Sequence, residues 1–381
     1  MKIPAYRLRS AKKLHAFGDP VEDIPLLGER LEDFQRRVLT AAGFEFRGDV
    51  DHYSHASLGS LVFGDDLVVT EALLRQVAAR WPTFLKNAES LRFGLADNEF
   101  NRAYVLAHEA GPFSGRYTFP FFAKFAAHEN FRDETLTQEI IPFGLPIPKQ
   151  MVKEGYLHYP LCDEWMSRMA SPFHVLQANL ALNSSRGFTV TRRLPEFLRR
   201  RLLSMGTKDF YRGLKRLNRI GKNCRIHPTA VLEGAVIGDN VTIGAYAVVR
   251  MSHVGAGSHI EDQACVRYSV LGQNNFIAQG NHVHLCLSYD DAFLIHGPYQ
   301  FSVFGASTAV MAVINCDIRL DELTIKIPTD VGVIDSRLGL MGVAYGHRSK
   351  VGGGNIIAPG RIVPNDWREA PPDFIRMEFR S

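Results

Sequence analysis

A seventeen-residue repeat between residues 220 and 283 restricts this chain more than any other feature of its sequence. Ile220, Ile237, Val254 and Leu271 recur at that spacing, each followed by a glycine: Gly221, Gly238, Gly255 and Gly272. Six residues further on come Ile226, Ile243, Ile260 and Ile277, and six beyond those Leu232, Val249, Val266 and Val283. Ala230, Ala247, Ala264 and Asn281 complete the units, which read as six plus six plus five residues four times over. A hexapeptide period marks a parallel β-helix, in which each step supplies one short strand and one turn of a triangular prism. One aliphatic side chain per step points inward, and glycine accepts the backbone geometry of tight corners. No coil can bury its own face, so the coils must stack into a continuous core. A β-sandwich gives no reason for three aliphatic series to share one register.

The chain of 381 residues is long enough for two domains with real cores. It holds no run of eighteen apolar residues, so no membrane span is expected. The basic N-terminus MKIPAYRLRSAKK lacks the apolar stretch of a secretory signal. A formal charge of +4 gives no reason to expect a nucleic-acid partner. Five cysteines, Cys162, Cys224, Cys265, Cys286 and Cys316, show no metal-ligand spacing, and a reduced cytoplasmic setting is the expectation.

Residues 1–190 carry no repeat and alternate between strand and helix patterns, which predicts an α/β domain. GERLEDFQRRVLTAA, from Gly28 to Ala42, has helical spacing and closes at Gly43. SLVFGDDLVVTEALLRQVAARW reads as a strand, an acidic turn at Asp65 and Asp66, and a helix capped by Thr70. Prolines between Glu139 and Lys149 predict a loop, and SPFHVLQANLAL, Ser171 to Leu182, predicts a helix. Residues 191–219 form a basic helical linker, read as a solvated connector, with contact to a membrane surface or nucleic acid as the alternative. The β-helix is expected over 220–365. Its period breaks at 284–344, read as an inserted loop, and resumes at Tyr345, Val351, Ile357 and Val363. The tail, 366–381, is expected to leave the helix and cap its last coil.

The repeat resembles the left-handed β-helix of hexapeptide acyltransferases. Residues 220–365 resemble, more closely, the C-terminal half of the bifunctional sugar-1-phosphate nucleotidyltransferase and amino-sugar-phosphate N-acetyltransferase family. YAVVRMSHVG is similar to the coil closing on a sugar-phosphate-binding arginine, which implies that role for Arg250. ACVRYSVLG is similar to the next coil and implies Arg267 as a second basic residue on the phosphate. HLCLSYDD resembles the family's His-Leu-Ser-Tyr segment, which implies His284 as acetyl-transfer base and Tyr289 at the substrate. VFGASTAVMAVINCDIR resembles the family's Gly-Ala-Gly-Thr stretch and asparagine, here Ala306 and Asn315, and the closing coils bring Ala358 near acetyl-CoA. Acetyl transfer to an amine needs a proton acceptor, for which histidine suits neutral pH. His282, in NHVHL, is expected on the opposite side of the strand and is the rival base; His296 and His347 are further candidates. The resemblance implies a homotrimer, an acyl-CoA co-substrate and an acceptor that is an amino sugar phosphate or nucleotide sugar.

The N-terminal half is similar to the nucleotidyltransferase domain of that family at IPLLGERLEDFQRRVLTAAGF, FGDDLVVTEALLR and SPFHVLQANLALN. The second stretch implies Asp65 or Asp66 as a holder of Mg2+ beside a nucleotide; the plain alternative is a strand-to-helix turn with acids at a helix N-terminus. The glycine-rich loop that cradles the triphosphate is absent before Pro25. Three functions follow: an acyltransferase, a nucleotidyltransferase with an atypical phosphate site, or a catalytically degenerate scaffold that binds a nucleotide sugar.

Overall fold

The computed structural model describes residues 2–87, 89–104, 116–127, 130–141, 144–146, 149, 156–158, 160–191, 208–319, 321 and 323–368. The chain divides into two compact units, residues 1–189 with 329–337, and residues 190–328 with 338–381.

In the first unit, β1 (Ile3–Leu8) is flanked by parallel neighbours β2 (Phe44–Val50) and β3 (Ser60–Gly64). The sheet continues through β4 (Leu91–Ala96), β5 (Arg116–Lys124) and β6 (Arg132–Leu136) in the order β2-β1-β3-β5-β4-β6. Helix α1 (Leu31–Ala41) connects β1 to β2 and buries Leu31, Phe34, Val38 and Leu39, one stripe at helical spacing. It starts later than the sequence predicts because Glu29–Arg30 pairs as a strand with Pro25–Leu26. It ends where Gly43 takes a φ of +91°, a conformation natural to glycine. Helix α2 (Glu71–Asn87) follows Thr70, whose hydroxyl bonds with the backbone of Trp165. Residues 172–183 of helix α3 (Pro172–Thr191) are buried on every side, as a helix without a polar face requires.

The second unit stacks short parallel strands into three faces, forming the β-helix. Face one has eight strands, from Arg219–Ile220 to Ile362–Val363; face two has seven, from Arg225–Ile226 to Lys350–Val351; face three has five, from Val231–Glu233 to Tyr299–Gln300. Ile237 pairs with Val254 and Val254 with Leu271, so the seventeen-residue period is the interval between stacked neighbours. Ile243, Ile260 and Ile277 stack likewise, as do Val249, Val266 and Val283, and all but the first coil are buried in one core. Each such side chain contributes about 1.5–3 kcal/mol by leaving water. At the corner after face one, Asn223, Asn240, Asn274 and Asp291 have φ of 56°, 58°, 54° and 61°. Asn and Asp tolerate this left-handed conformation because their short polar side chains bond locally.

Residues 284–315, expected in a loop, carry strands in register with the prism. Leu271 pairs with Ser288, Ser288 with Phe304, and Phe304 with Tyr345; on face two Ile277 pairs with Leu294 and Leu294 with Val310. The fifth coil replaces aliphatics by Ser288 and Tyr299, and its next spacing falls to sixteen residues, so the sequence period is lost while the stacking continues. The departure from the prism is confined to residues 316–343, between Asn315 and Ala344. The described start of the tail continues face two, with Lys350 bridged to Arg368; the remainder, and residues 192–207 of the expected linker, lie outside the described residues. The described end of that linker, Lys208–Arg216, is helical. No described helix is long and apolar enough to cross a membrane.

Candidate functional site

Side chains at the outward ends of the face-three strands form one column. Glu233 pairs in register with Arg250, Arg250 with Arg267, Arg267 with His284, and His284 with Gln300. Stacked strands lie about 4.8 Å apart, so each of these side chains neighbours the next. Two arginines at that spacing repel each other. Glu233, itself buried, relieves one of them: its carboxylate accepts from Arg250 Nε at 2.6 Å. The Arg250 guanidinium also lies 5.1 Å over the ring of Tyr211, in the helix Lys208–Arg216. Arg267 Nε donates to Cys265 Sγ at 2.9 Å, and no described carboxylate pairs with it. Among the described residues, Arg267 therefore carries the column's uncompensated charge.

His284 is half-buried beside it, its ring 5.7 Å from that of Tyr268. Burial, the Arg267 guanidinium and His282 push the imidazole pKa down to about 4. His284 is thus neutral at pH 7 and able to accept a proton, and an anion arriving at Arg267 would strengthen it as a base. His282 and His284 flank the buried Val283, so both share the outward side of the strand, contrary to expectation, because side chains alternate with a period of two. His282 is exposed and His284 is not.

The remaining expected site residues fall elsewhere. Tyr289 and Ala306 meet His347 at the corner after face one: the rings of Tyr289 and His347 lie 5.1 Å apart, and the Ala306 N–H donates to His347 Nδ1 at 2.8 Å. His296 is an exposed corner residue at φ 58°. Asn315 turns its amide to the prism interior, donating to Ser302 Oγ at 2.8 Å and accepting from Tyr345 OH at 2.5 Å. Both ends of that amide are engaged, which leaves it poorly placed to stabilise an oxyanion. Ala358 is exposed and follows Ile357, the partner of Asn315 on the neighbouring strand. Arg250, Arg267 and His284 are the expected site residues that the fold brings into one column. Glu233 escaped the sequence reading although it stands seventeen residues before Arg250, the same interval that links the other three.

Asp65 and Asp66 lie in the first unit, in the turn after β3, and both are buried. Asp65 accepts from the Ser10 N–H and from Ser10 Oγ, each at 2.7 Å. Asp66 Oδ2 accepts from Arg168 Nη2 at 2.7 Å and Nε at 3.0 Å, with Lys12 Nζ 4.0 Å away. Among the described residues, no group of three or more His, Cys, Asp or Glu is placed to hold a metal ion. Mg2+ asks for a near-octahedral oxygen set, and here two cations already face the carboxylate that would supply it. These residues do not fit magnesium.

Residues 219–250 match the family of bacterial transferase hexapeptide (six repeats). The C-terminal half carries a hexapeptide-repeat transferase region. Its stacked parallel sheets are those of a left-handed β-helix, and hexapeptide transferases are typically acyltransferases that use acyl-CoA. No curated protein matches the chain.

Proposed function

We propose that the second unit is an acyl-CoA-dependent acyltransferase acting on an amino sugar phosphate or nucleotide sugar, working as a trimer of β-helices. The column Glu233–Arg250–Arg267–His284 carries this reading, because it sets an uncompensated guanidinium beside a neutral imidazole on a hexapeptide-transferase prism. Arg267 binds the acceptor's phosphate through its planar fork of donors, with Arg250 beside it held in place by Glu233. The acceptor amine attacks the thioester carbonyl, and His284 takes the ammonium proton as the C–N bond forms. Collapse of the tetrahedral intermediate breaks the C–S bond, and His284 returns the proton to the departing CoA thiolate. Phosphate binding at Arg267 raises the His284 pKa toward neutrality, so the base strengthens when its substrate is present.

Thiol release from acetyl-CoA in the presence of glucosamine-1-phosphate tests the reading directly. His284→Ala is expected to lower turnover by about 100-fold or more, the usual contribution of a general base. Arg267→Ala is expected to raise the KM for the acceptor more than it lowers kcat. Turnover unchanged in His284→Ala would remove His284 as the base.

A further inference from the structure

The first coil of the prism has a neighbour on one side only. Arg219–Ile220, Arg225–Ile226 and Val231–Glu233 each stand at the end of their face. This end is open: Ile220 is 53% exposed, whereas Ile237 and Val254, the next two members of its inward series, are buried. From Arg212 to Leu232 the sequence holds six cations, Arg212, Lys215, Arg216, Arg219, Lys222 and Arg225, with no Asp or Glu and no Phe, Tyr or Trp. Six exceeds the formal charge of +4 on the whole chain, so the rest of the chain is net acidic. All six residues are exposed, and among the described residues none of them enters an ion pair. The acids of the first two coils are already bonded, Glu233 to Arg250 and Asp239 to the Lys222 N–H.

The six cations surround the end as a collar. Arg219 projects from face one and Arg225 from face two, because Ile220 and Ile226 beside them turn inward. Lys222 lies at the corner between those faces. Arg212, Lys215 and Arg216 come from the helix Lys208–Arg216. That helix is tied to face three by the Gly234 N–H, which donates to the Leu214 carbonyl at 2.8 Å, and by Tyr211 over Arg250. Single-stranded nucleic acid is held by cations interleaved with aromatic rings that stack on bases, and this stretch has no such ring. An extended acidic peptide follows one line and meets only part of a collar. A flat anionic surface laid across the open end meets cations from every side, since Lys and Arg bend their charged heads toward it while their stems stay on the coil. The helix keeps its apolar side on the prism, with Leu214 buried, so it does not lie within the lipid.

We propose that the open end of the prism docks end-on to an anionic lipid surface, the collar meeting the charged headgroups and Ile220 facing the interface. The attraction acts within a Debye length of the surface, about 8 Å at physiological salt. Each Lys or Arg held that close strengthens binding about fivefold. Charge on a bare β-edge also keeps it from pairing with other chains, a use that needs no lipid and predicts no binding to vesicles. The docking is independent of the chemistry at His284.

Co-sedimentation of the full chain with vesicles of phosphatidylcholine, with and without about one third phosphatidylserine, tests it. Binding is expected to the anionic vesicles alone, and is expected to vanish at about 1 M salt, where the Debye length shrinks to about 3 Å. Arg219→Gln combined with Arg225→Gln is expected to weaken binding about 25-fold, two steps of fivefold. Lys350→Gln combined with Arg361→Gln removes the same charge from exposed positions at the opposite end of the prism, and is expected to leave binding within about twofold of the unaltered protein. Melting curves check that both double variants fold. No binding to the anionic vesicles, equal binding to both kinds of vesicle, or equal losses in the two double variants would each overturn the proposal. Duplex DNA or polyglutamate that strips the chain from the vesicles at matched charge would also overturn it, by showing a polyanion site with no preference for lipid.

Discussion

The depressed pKa of His284 makes stability depend on pH in a way that can be worked out beforehand. The native imidazole titrates near 4, against an ordinary value of 6.5. Between those values the unfolded chain holds a proton that the native one does not, so stability is complete above pH 6.5 and declines as pH falls. For a single site with these two pKa values, going from pH 7 to pH 5 costs about 2 kcal/mol, because the unfolded histidine is nearly all protonated at pH 5 and the native one is not. His284→Gln removes this contribution and keeps a polar side chain of similar reach. Urea unfolding of both proteins at both pH values isolates it, since every titrating group that does not interact with His284 cancels in the double difference. The unaltered protein should lose about 2 kcal/mol more than His284→Gln over that range. Equal losses, or a His284 ring titrating at 6 or above by NMR, would refute the claim that burial and Arg267 hold it neutral.

Three further outcomes test the prism. A Cβ on Gly255 would lie 2.3 Å from the carbonyl carbon and oxygen of Gly272, both backbone atoms. Gly255→Ala should therefore cost about 3 kcal/mol or more by denaturant titration, whereas Gly352→Ala, with nothing within 4 Å, should change stability little. Ile277→Ala opens a cavity at a fully buried position and should cost about 2–5 kcal/mol in the same assay. Tyr345→Phe deprives Asn315 of its donor inside the core and should cost about 1–2 kcal/mol, seen as a lower melting temperature.

The four coils were legible because stacking demands one inward aliphatic per face at a constant interval. The next coils were not, and the reason is volume. The place of Leu271 passes to Ser288, then to Phe304 and Tyr345, whose rings stack 5.3 Å apart at 5°. A small side chain above two large ones fills the prism as well as three aliphatics do, yet a search for aliphatics stops at Ser288. The column was half legible. Arg250, Arg267 and His284 stand at the repeat interval, but only the fold shows that Glu233 pairs with Arg250 and that no described carboxylate pairs with Arg267. The partners of the two aspartates were beyond reach. Ser10 lies 55 residues from Asp65 and Arg168 lies 102 from Asp66, and no local pattern links residues so far apart.

The departure at residues 316–343 leaves the prism after Asn315, which is clamped between Ser302 and Tyr345, and its two ends meet at the bridge from Ile318 to Leu340. The loop-closing geometry is thus set by the prism, while the departing segment buries Ile325 and Ile327 of its own. Doubling the length of such a segment adds only about 0.6 kcal/mol of closure entropy. The prism is in this sense a socket: the coils on either side of the departure stack directly on one another and keep one register.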